Sequence, residues 1–177
     1  MEPGCHYSIA KVASMKLCDF YRTNENIFTS CGILYNHESD LRKNIFLSKK
    51  IISHAIRNFH GSEKKLILHN LNFKADWGYA PDYIDAMYKI LKYRTPKNFI
   101  ISSGNIFSVR DFAKTAYDYL DLDYKKYVTS KENFKVLNYR LGDASLLKKL
   151  CKWKPSVNFK QMIAKLISDK LNSNDFE

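Results

Sequence analysis

Apolar residues follow two spacings along this chain. Stretches with apolar positions every third or fourth residue alternate with short apolar runs, the pattern of amphipathic helices between buried strands. Residues 7–21 carry Ile9, Val12, Ala13, Leu17 and Phe20 as one helical stripe. Residues 27–35 (IFTSCGILY) form a β-rich run that ends on the polar stretch Asn36-His37-Glu38-Ser39, as a buried strand delivering a loop would. Helical period returns over 44–59 through Ile45, Ser48, Ile52, Ala55, Ile56 and Phe59, with the lysines on the other side, so Lys49 is expected to be solvated. Residues 65–71 (KLILHNL) read as a strand, Pro81 opens a helix over 82–93, and 98–102 (NFIIS) read as another strand. Ser108-x-x-Asp111 has the form of a capping box for a helix to about residue 120. Asp143 is placed to cap a short helix through residue 150, and Phe159, Met162, Ile163, Leu166 and Ile167 mark a final amphipathic helix. Strands separated by helices predict an α/β fold with parallel pairing.

Composition changes little in that picture but excludes several classes. With 45% hydrophobic and 14% aromatic residues in 177, the chain has enough apolar surface for one packed unit, not a disordered tail. The net charge of +11 invites a nucleic-acid reading. However, the lysine pairs 49–50, 64–65, 125–126 and 148–149 are scattered among apolar positions, as on solvated faces, so nucleic-acid binding is the weaker expectation. No run reaches the ~18 apolar residues of a membrane span, and residues 1–10 lack the basic and apolar regions of a signal peptide. The expectation is a cytoplasmic protein without membrane contact.

Cys5, Cys18, Cys31 and Cys151 contain no C-x-x-C pair, and the five histidines contain no H-x-x-x-H, so neither disulfides nor a metal site is expected. The six glycines lie too far apart for G-x-G-x-x-G or G-x-x-x-x-G-K, so the chain has no dinucleotide fingerprint of its own.

Tyr7-Ser8-Ile9-Ala10-Lys11 places a phenol and an ammonium on one helix face, one turn apart. A tyrosine titrating near 10 is a poor base at neutral pH. Lowering its pKa by ~3 units needs roughly 4 kcal/mol of preferential phenolate stabilisation, which a cation in a dry site can supply. The spacing alone is weak: there are four such pairs (Tyr7/Lys11, Tyr88/Lys92, Tyr93/Lys97, Tyr127/Lys131), where chance gives about 1.6. Only the first opens a long amphipathic helix followed at once by a buried strand and a polar loop.

From this point the sequence resembles the extended short-chain dehydrogenase/reductase superfamily, and within it the GDP-mannose 4,6-dehydratase family. The motifs occur in order: Y-S-I-A-K (7–11), C-G-I-L-Y-N-H-E-S (31–39), K-A-D-W-G-Y-A-P-D-Y-I-D-A-M (74–87), N-F-I-I-S-S-G with F-S-V-R-D-F (98–112), L-G-D-A-S (141–145) and W-K-P-S-V-N-F (153–159). The resemblance implies the carboxy-terminal part of a Rossmann-like fold plus a small substrate-binding domain, without the glycine-rich dinucleotide half. Residues 1–43 would end the Rossmann part and 44–177 would mainly form the substrate-binding region.

By the same resemblance the family's base falls on Tyr7. The lysine that lowers its pKa and binds the nicotinamide ribose falls on Lys11. NADP contacts fall on His37 and Arg42, and nucleotide-sugar contacts on Asn36, Leu47 and Lys50. The implied reaction converts GDP-mannose to the 4-keto-6-deoxy sugar with NADP as internal hydride carrier, the tyrosine taking the C4 hydroxyl proton and a carboxylate the C5 proton. Ala75 stands where the family has an arginine before D-W-G, and the family's R-P-x-E segment aligns near residues 133–136, where its second arginine is replaced. Losing a charge-assisted contact typically costs ~1.5 to 3 kcal/mol. Lys131 or Lys135 would restore the charge but not the planar fork. Because the resemblance leaves out the glycine-rich dinucleotide half, the 177 residues alone are expected to be inactive, and a homo-oligomer or a partner chain supplying that half is implied.

Three alternatives stay open: a non-catalytic remnant or partner-completed subunit, an epimerase or reductase on another nucleotide sugar, and a basic nucleic-acid module. Trp77 and Trp153 are expected to be packing anchors. Asp76 is expected to cap a helix or bond backbone amides.

Overall fold

The structure, a computed structural model, describes residues 4–132 and 139–173. The chain opens with α1 (His6–Asn24), β1 (Cys31–Leu34), β2 (Asn36–Glu38) and α2 (Leu47–Phe59). It continues through β3 (Leu66–Asn70), β4 (Lys74–Tyr79), α3 (Ala80–Lys92), β5 (Asn98–Ile101) and β6 (Ile106–Ser108). The remainder is α4 (Val109–Asp118), α5 (Tyr124–Tyr127), β7 (Val128–Glu132), α6 (Ser145–Cys151) and α7 (Phe159–Asn172).

Several boundaries follow directly from local chemistry. In α4 the capping box forms as expected: Ser108 Oγ accepts the Asp111 N–H at 3.1 Å and Asp111 Oδ2 accepts the Ser108 N–H at 2.8 Å. Pro81 lies in the first turn of α3. Asp143 Oδ1 accepts the Ser145 N–H at 2.8 Å, and those Ser145 hydrogen bonds hold its carboxyl below the usual range. Asn158 and Gln161 cap α7 reciprocally.

The strands pair mainly in parallel. β1 runs parallel to β5 with Cys31 opposite Asn98, β2 to β4 with Asn36 opposite Trp77, and β3 to β7 with Leu66 opposite Val128. One pairing departs from the parallel expectation: β4 and β6 are antiparallel, Ala75 facing Phe107, although α3 and β5 lie between them in the chain. Residues 36–38, expected as loop, form β2 because their backbone finds partners in Trp77–Tyr79.

Two cores result. The larger packs Ile51, Ile52, Ala55 and Ile56 of α2 against Phe112, Ala113 and Ala116 of α4 and Met162, Ile163, Leu166 and Ile167 of α7, with Trp77 on one flank. The smaller gathers Tyr83, Ala86 and Ile90 of α3, Phe99 and Ile101 of β5, and Leu147 and Trp153 around α6. α1 differs from every other long helix: none of its described residues is buried. Its expected stripe is in the open, with Ile9, Leu17 and Phe20 each at least half exposed. Its far end is held by a polar clamp, in which Arg22 Nη2 donates to Asn98 Oδ1 at 2.8 Å and Asn98 Nδ2 donates to Asp19 Oδ1 at 3.1 Å. No helix among the described residues is long and apolar enough to cross a membrane.

Candidate functional site

Ser8 starts α1 by accepting the Cys5 N–H at 3.1 Å and donating to the Cys5 carbonyl at 2.8 Å. Tyr7 and Lys11 follow in the first two turns on one face, with Lys11 Nζ 5.4 Å from the centre of the Tyr7 ring. Tyr7 is 71% exposed, so the pair has its mutual geometry without an enclosing wall.

The remaining expected site residues lie on β2, the loop after it and the first turn of α2. His37 Nδ1 donates to the Tyr35 carbonyl at 2.8 Å, which fixes the tautomer, and the His37 ring lies 5.2 Å from that of Tyr83. Tyr83 is buried, which pushes its phenol up, and its hydroxyl donates to the Asn36 carbonyl at 3.4 Å. Gly78 makes that placement possible: a Cβ there would fall 2.3 Å from the Tyr83 ring. Arg42 turns inward, where Nη1 donates to the His37 carbonyl at 2.9 Å, Nε lies 3.2 Å from Glu38 Oε2, and the guanidinium stacks on Phe46 at 4.1 Å. Leu47 packs on the edge of the larger core, while Lys50 is exposed.

Glu38 and Ser48 form a pair that sequence spacing does not bring together. Glu38 is 2% exposed and accepts a hydrogen bond from Ser48 Oγ, ten residues on. Burial pushes its carboxyl up, opposed by Ser48 and by the Arg42 guanidinium. The pair ties β2 to α2 and so sets the path of the loop carrying Arg42. The position of Ser48 within the apolar stripe of α2 was the one available signal.

Lys49 corrects the sequence expectation. It is 5% exposed, and its Nζ donates to the Asp40 carbonyl at 2.7 Å, because the 40–44 loop and the end of α7 fold over the face expected to be wet. Asp76 behaves as expected of a structural acid, accepting the backbone N–H groups of Ser103 at 2.9 Å, Gly104 at 3.0 Å and Gly142 at 3.4 Å. Trp77 and Trp153 are buried anchors whose Nε1 atoms donate to the Phe107 and Asp82 carbonyls at 3.2 and 3.0 Å. Ala75 is buried in the larger core opposite Phe107. The aligned segment 133–136, including Lys135, lies outside the described residues. Among the described residues no group of three His, Cys, Asp or Glu side chains is placed to hold a metal.

Comparison with known proteins supplies what the geometry alone does not. A family model described as GDP-mannose 4,6 dehydratase matches residues 1–166. GDP-mannose 4,6 dehydratase 2 of Arabidopsis thaliana is 32% identical over 173 residues, covering 96% of this chain and 46% of the relative. The human GDP-mannose 4,6 dehydratase is 28% identical, covering 93% of this chain and 50% of the relative. The chain thus spans about half the length of the curated relatives it matches. Among solved structures, RMD from Pseudomonas aeruginosa complexed with NADPH superimposes with a TM-score of 0.88 at 18% identity, covering 97% of this chain and 58% of that one. A dTDP-glucose 4,6-dehydratase from Bacillus anthracis in complex with NAD gives 0.84 at 16% identity, covering 99% and 55%. These two likenesses show that the chain shares the α/β fold of the matching parts of those proteins. With its family model matched along nearly the whole sequence and its motifs in order, this chain belongs to the GDP-mannose 4,6-dehydratase family.

Proposed function

We propose that these residues are the sugar-nucleotide half of a GDP-mannose 4,6-dehydratase, active only when a glycine-rich half closes over α1 and β1. The carrying observation is the intact Tyr7–Lys11 pair on one face of α1, with Lys11 Nζ 5.4 Å from the Tyr7 ring, within the family match. Residues 1–43, together with α3, β5 and α6 around the smaller core, make the end of the Rossmann part. The rest of 44–177, around the larger core, makes the substrate region.

The residues fit one end of NADP. A phenol and an ammonium side by side on an open helix face suit the ribose hydroxyls and the nicotinamide edge, whereas the scattered glycines offer no cradle for the phosphates. When bound, NADP supplies the acceptor and later the donor of a hydride. Tyr7 takes the proton of the C4 hydroxyl, and Lys11 stabilises the phenolate and holds the ribose. His37 and Arg42 border the cofactor, Arg42 by bracing the loop through Glu38 and the His37 carbonyl. Asn36, Leu47 and Lys50 face the nucleotide sugar, with the exposed Lys50 ammonium for its phosphates.

The exposed apolar side chains of α1 support completion by further protein, either the rest of a longer chain or a second one. The test compares the purified 177-residue chain with the same chain joined to, or co-expressed with, a glycine-rich half, given GDP-mannose and NADP. The expected result is 4-keto-6-deoxy product only from the completed protein, and a loss of about 10²–10⁴-fold in kcat for Tyr7→Phe. Robust turnover by the chain alone, or full activity of Tyr7→Phe, refutes the reading.

A further inference from the structure

Between the start of α3, β6 and the segment leading into α7 lies a cavity of about 170 Å³. Its walls are largely aromatic: Trp77 and Tyr83 are buried, Tyr79 is half-buried, and Phe107 stacks on Phe159 with ring centres 3.9 Å apart. Asp82, in the first turn of α3, also lines it and is 6% exposed. The Asp82 carbonyl accepts the Trp153 Nε1–H at 3.0 Å, which fixes the residue in place. Its carboxylate oxygen Oδ2, in contrast, is buried without a hydrogen-bond partner among the described residues.

That oxygen is the unbalanced group of the cavity. An interior carboxylate is costly unless a cation or hydrogen-bond donors replace its lost water. The N-terminus of α3 offsets part of the charge, but none of its amides reaches Oδ2. No Lys, Arg or His is among the described residues that line the cavity. The other polar groups there are engaged elsewhere. Trp77 Nε1 donates to the Phe107 carbonyl at 3.2 Å, the Tyr83 hydroxyl to the Asn36 carbonyl at 3.4 Å, and Ser103 Oγ to the Asn105 carbonyl at 3.3 Å. Asn158 Oδ1 accepts the Gln161 N–H at 3.0 Å. Water alone suits the space badly, since a buried water takes about 2–4 polar partners and most of this wall offers none. The volume is several times the ~30 Å³ share of one water, which is room for a short organic molecule.

We propose that this cavity binds a small primary alkylammonium ion, its N–H groups on Asp82 Oδ2 and its stem against the aromatic walls. A quaternary ammonium has no donor for Oδ2, and an alcohol has no charge. A primary amine, protonated at neutral pH as a lysine side chain is, has both. Aromatic faces add attraction for a cation within about 6 Å of a ring centre. The exposed Asn105 and Asn158 mark the open side. The site goes beyond the proposed dehydratase reading and does not depend on it, since Asp82 takes no part in that reading.

The experiment titrates the 177-residue chain with n-butylammonium chloride, and separately with n-butanol and with sodium chloride at equal ionic strength, following the Trp77 indole N–H resonance and the binding heat. The expected result is saturable n-butylammonium binding that shifts the Trp77 signal, with n-butanol at least tenfold weaker and sodium chloride without effect. Asp82→Asn, which keeps the shape of the side chain, weakens n-butylammonium at least tenfold, while Asp85→Asn, an exposed change on the same helix, leaves binding unchanged. Equal affinities of n-butylammonium and n-butanol for the unmutated chain overturn the proposal even if Asp82→Asn fails to fold, and so does the absence of saturable binding. Equal weakening by Asp85→Asn also overturns it.

Discussion

Gly78→Ala is a sharp test of how the site's scaffold is packed. The added Cβ would lie 2.3 Å from Tyr83 Cε2, 2.5 Å from its hydroxyl oxygen and 2.7 Å from Cζ. Favourable carbon contacts sit at about 3.5–4.0 Å, so the ring must retreat by roughly 1 Å. It has little room. Tyr83 is 1% exposed, edge-on to Trp153 at 6.5 Å and beside the His37 ring at 5.2 Å. Overpacking of this kind costs about 1–3 kcal/mol, and the enclosed ring argues for the upper end, roughly a hundredfold in the folding equilibrium. Gly78 does not lie in the left-handed region, so alanine meets no backbone penalty and the whole cost is steric.

Urea denaturation of Gly78→Ala in the native background and in Tyr83→Leu separates these contributions. Leucine lacks all three clashing atoms, so the alanine is expected to cost less than about 1 kcal/mol there, a non-additivity of about 2 kcal/mol. The same displacement should alter the His37 ring resonances, because Gly78 is His37's register partner across β2 and β4. Equal cost of Gly78→Ala in both backgrounds refutes the argument.

Four further outcomes follow from the structure. Glu38 is raised above its ordinary value of 4.5, so the unfolded chain loses this proton first; stability falls as pH rises from about 4.5 through the raised value, and Glu38→Gln flattens that segment of the stability profile. Burial and Arg57 push His54 below its ordinary 6.5, so the unfolded state takes up the proton first and stability falls as pH drops through that range; NMR titration should place the His54 midpoint below 6.5. Cys5 is exposed and held below the ordinary thiol range by its hydrogen bonds with Ser8, whereas burial and the Cys18 thiol push Cys31 up to about 11, so iodoacetamide at neutral pH should label Cys5 well before Cys31 by mass spectrometry. Trp153→Ala should cost about 3–5 kcal/mol in denaturant unfolding, because it empties the centre of the smaller core and removes the donor to the Asp82 carbonyl.

What could be read from the sequence was what local chemistry decides. The Ser108/Asp111 box, Pro81 in the first turn of α3 and the α7 stripe each depend on residues within one or two turns, and each is found where expected. β4 escaped notice because Ala75 to Gly78 are buried on both faces, so no alternation marks the strand. β2 escaped because three polar residues become a strand only through the distant partner Trp77–Tyr79. The same reasoning separates the candidate site into two parts. Tyr7 and Lys11 are one turn apart and were visible as a pair, whereas Glu38–Ser48, Tyr83 against His37, and the interior Lys49 depend on contacts between separate elements that no periodicity reports.

The contrast between α1 and the other long helices bears on how the site would work. α2, α3, α4 and α7 each bury a continuous stripe, whereas α1 keeps a polar clamp at Arg22, Asp19 and Asn98 and leaves Ile9, Leu17 and Phe20 in water. A helix of 19 residues draws most of its stability from packing of its apolar face, so its first turns, which carry Tyr7 and Lys11 far from the clamp, have no buried side chain to anchor them. An ammonium strongly favours a phenolate only where water is excluded. Whatever protein covers the apolar face of α1 would therefore do two things at once: stiffen the turns that hold the pair, and lower the dielectric around it. Hydrogen exchange can separate these ideas. The amides of residues 9–15 should exchange much faster than those of α2 in the 177-residue chain and slow markedly once a glycine-rich half is supplied. Protection of 9–15 equal to that of α2 in the chain alone would show that α1 needs no covering partner.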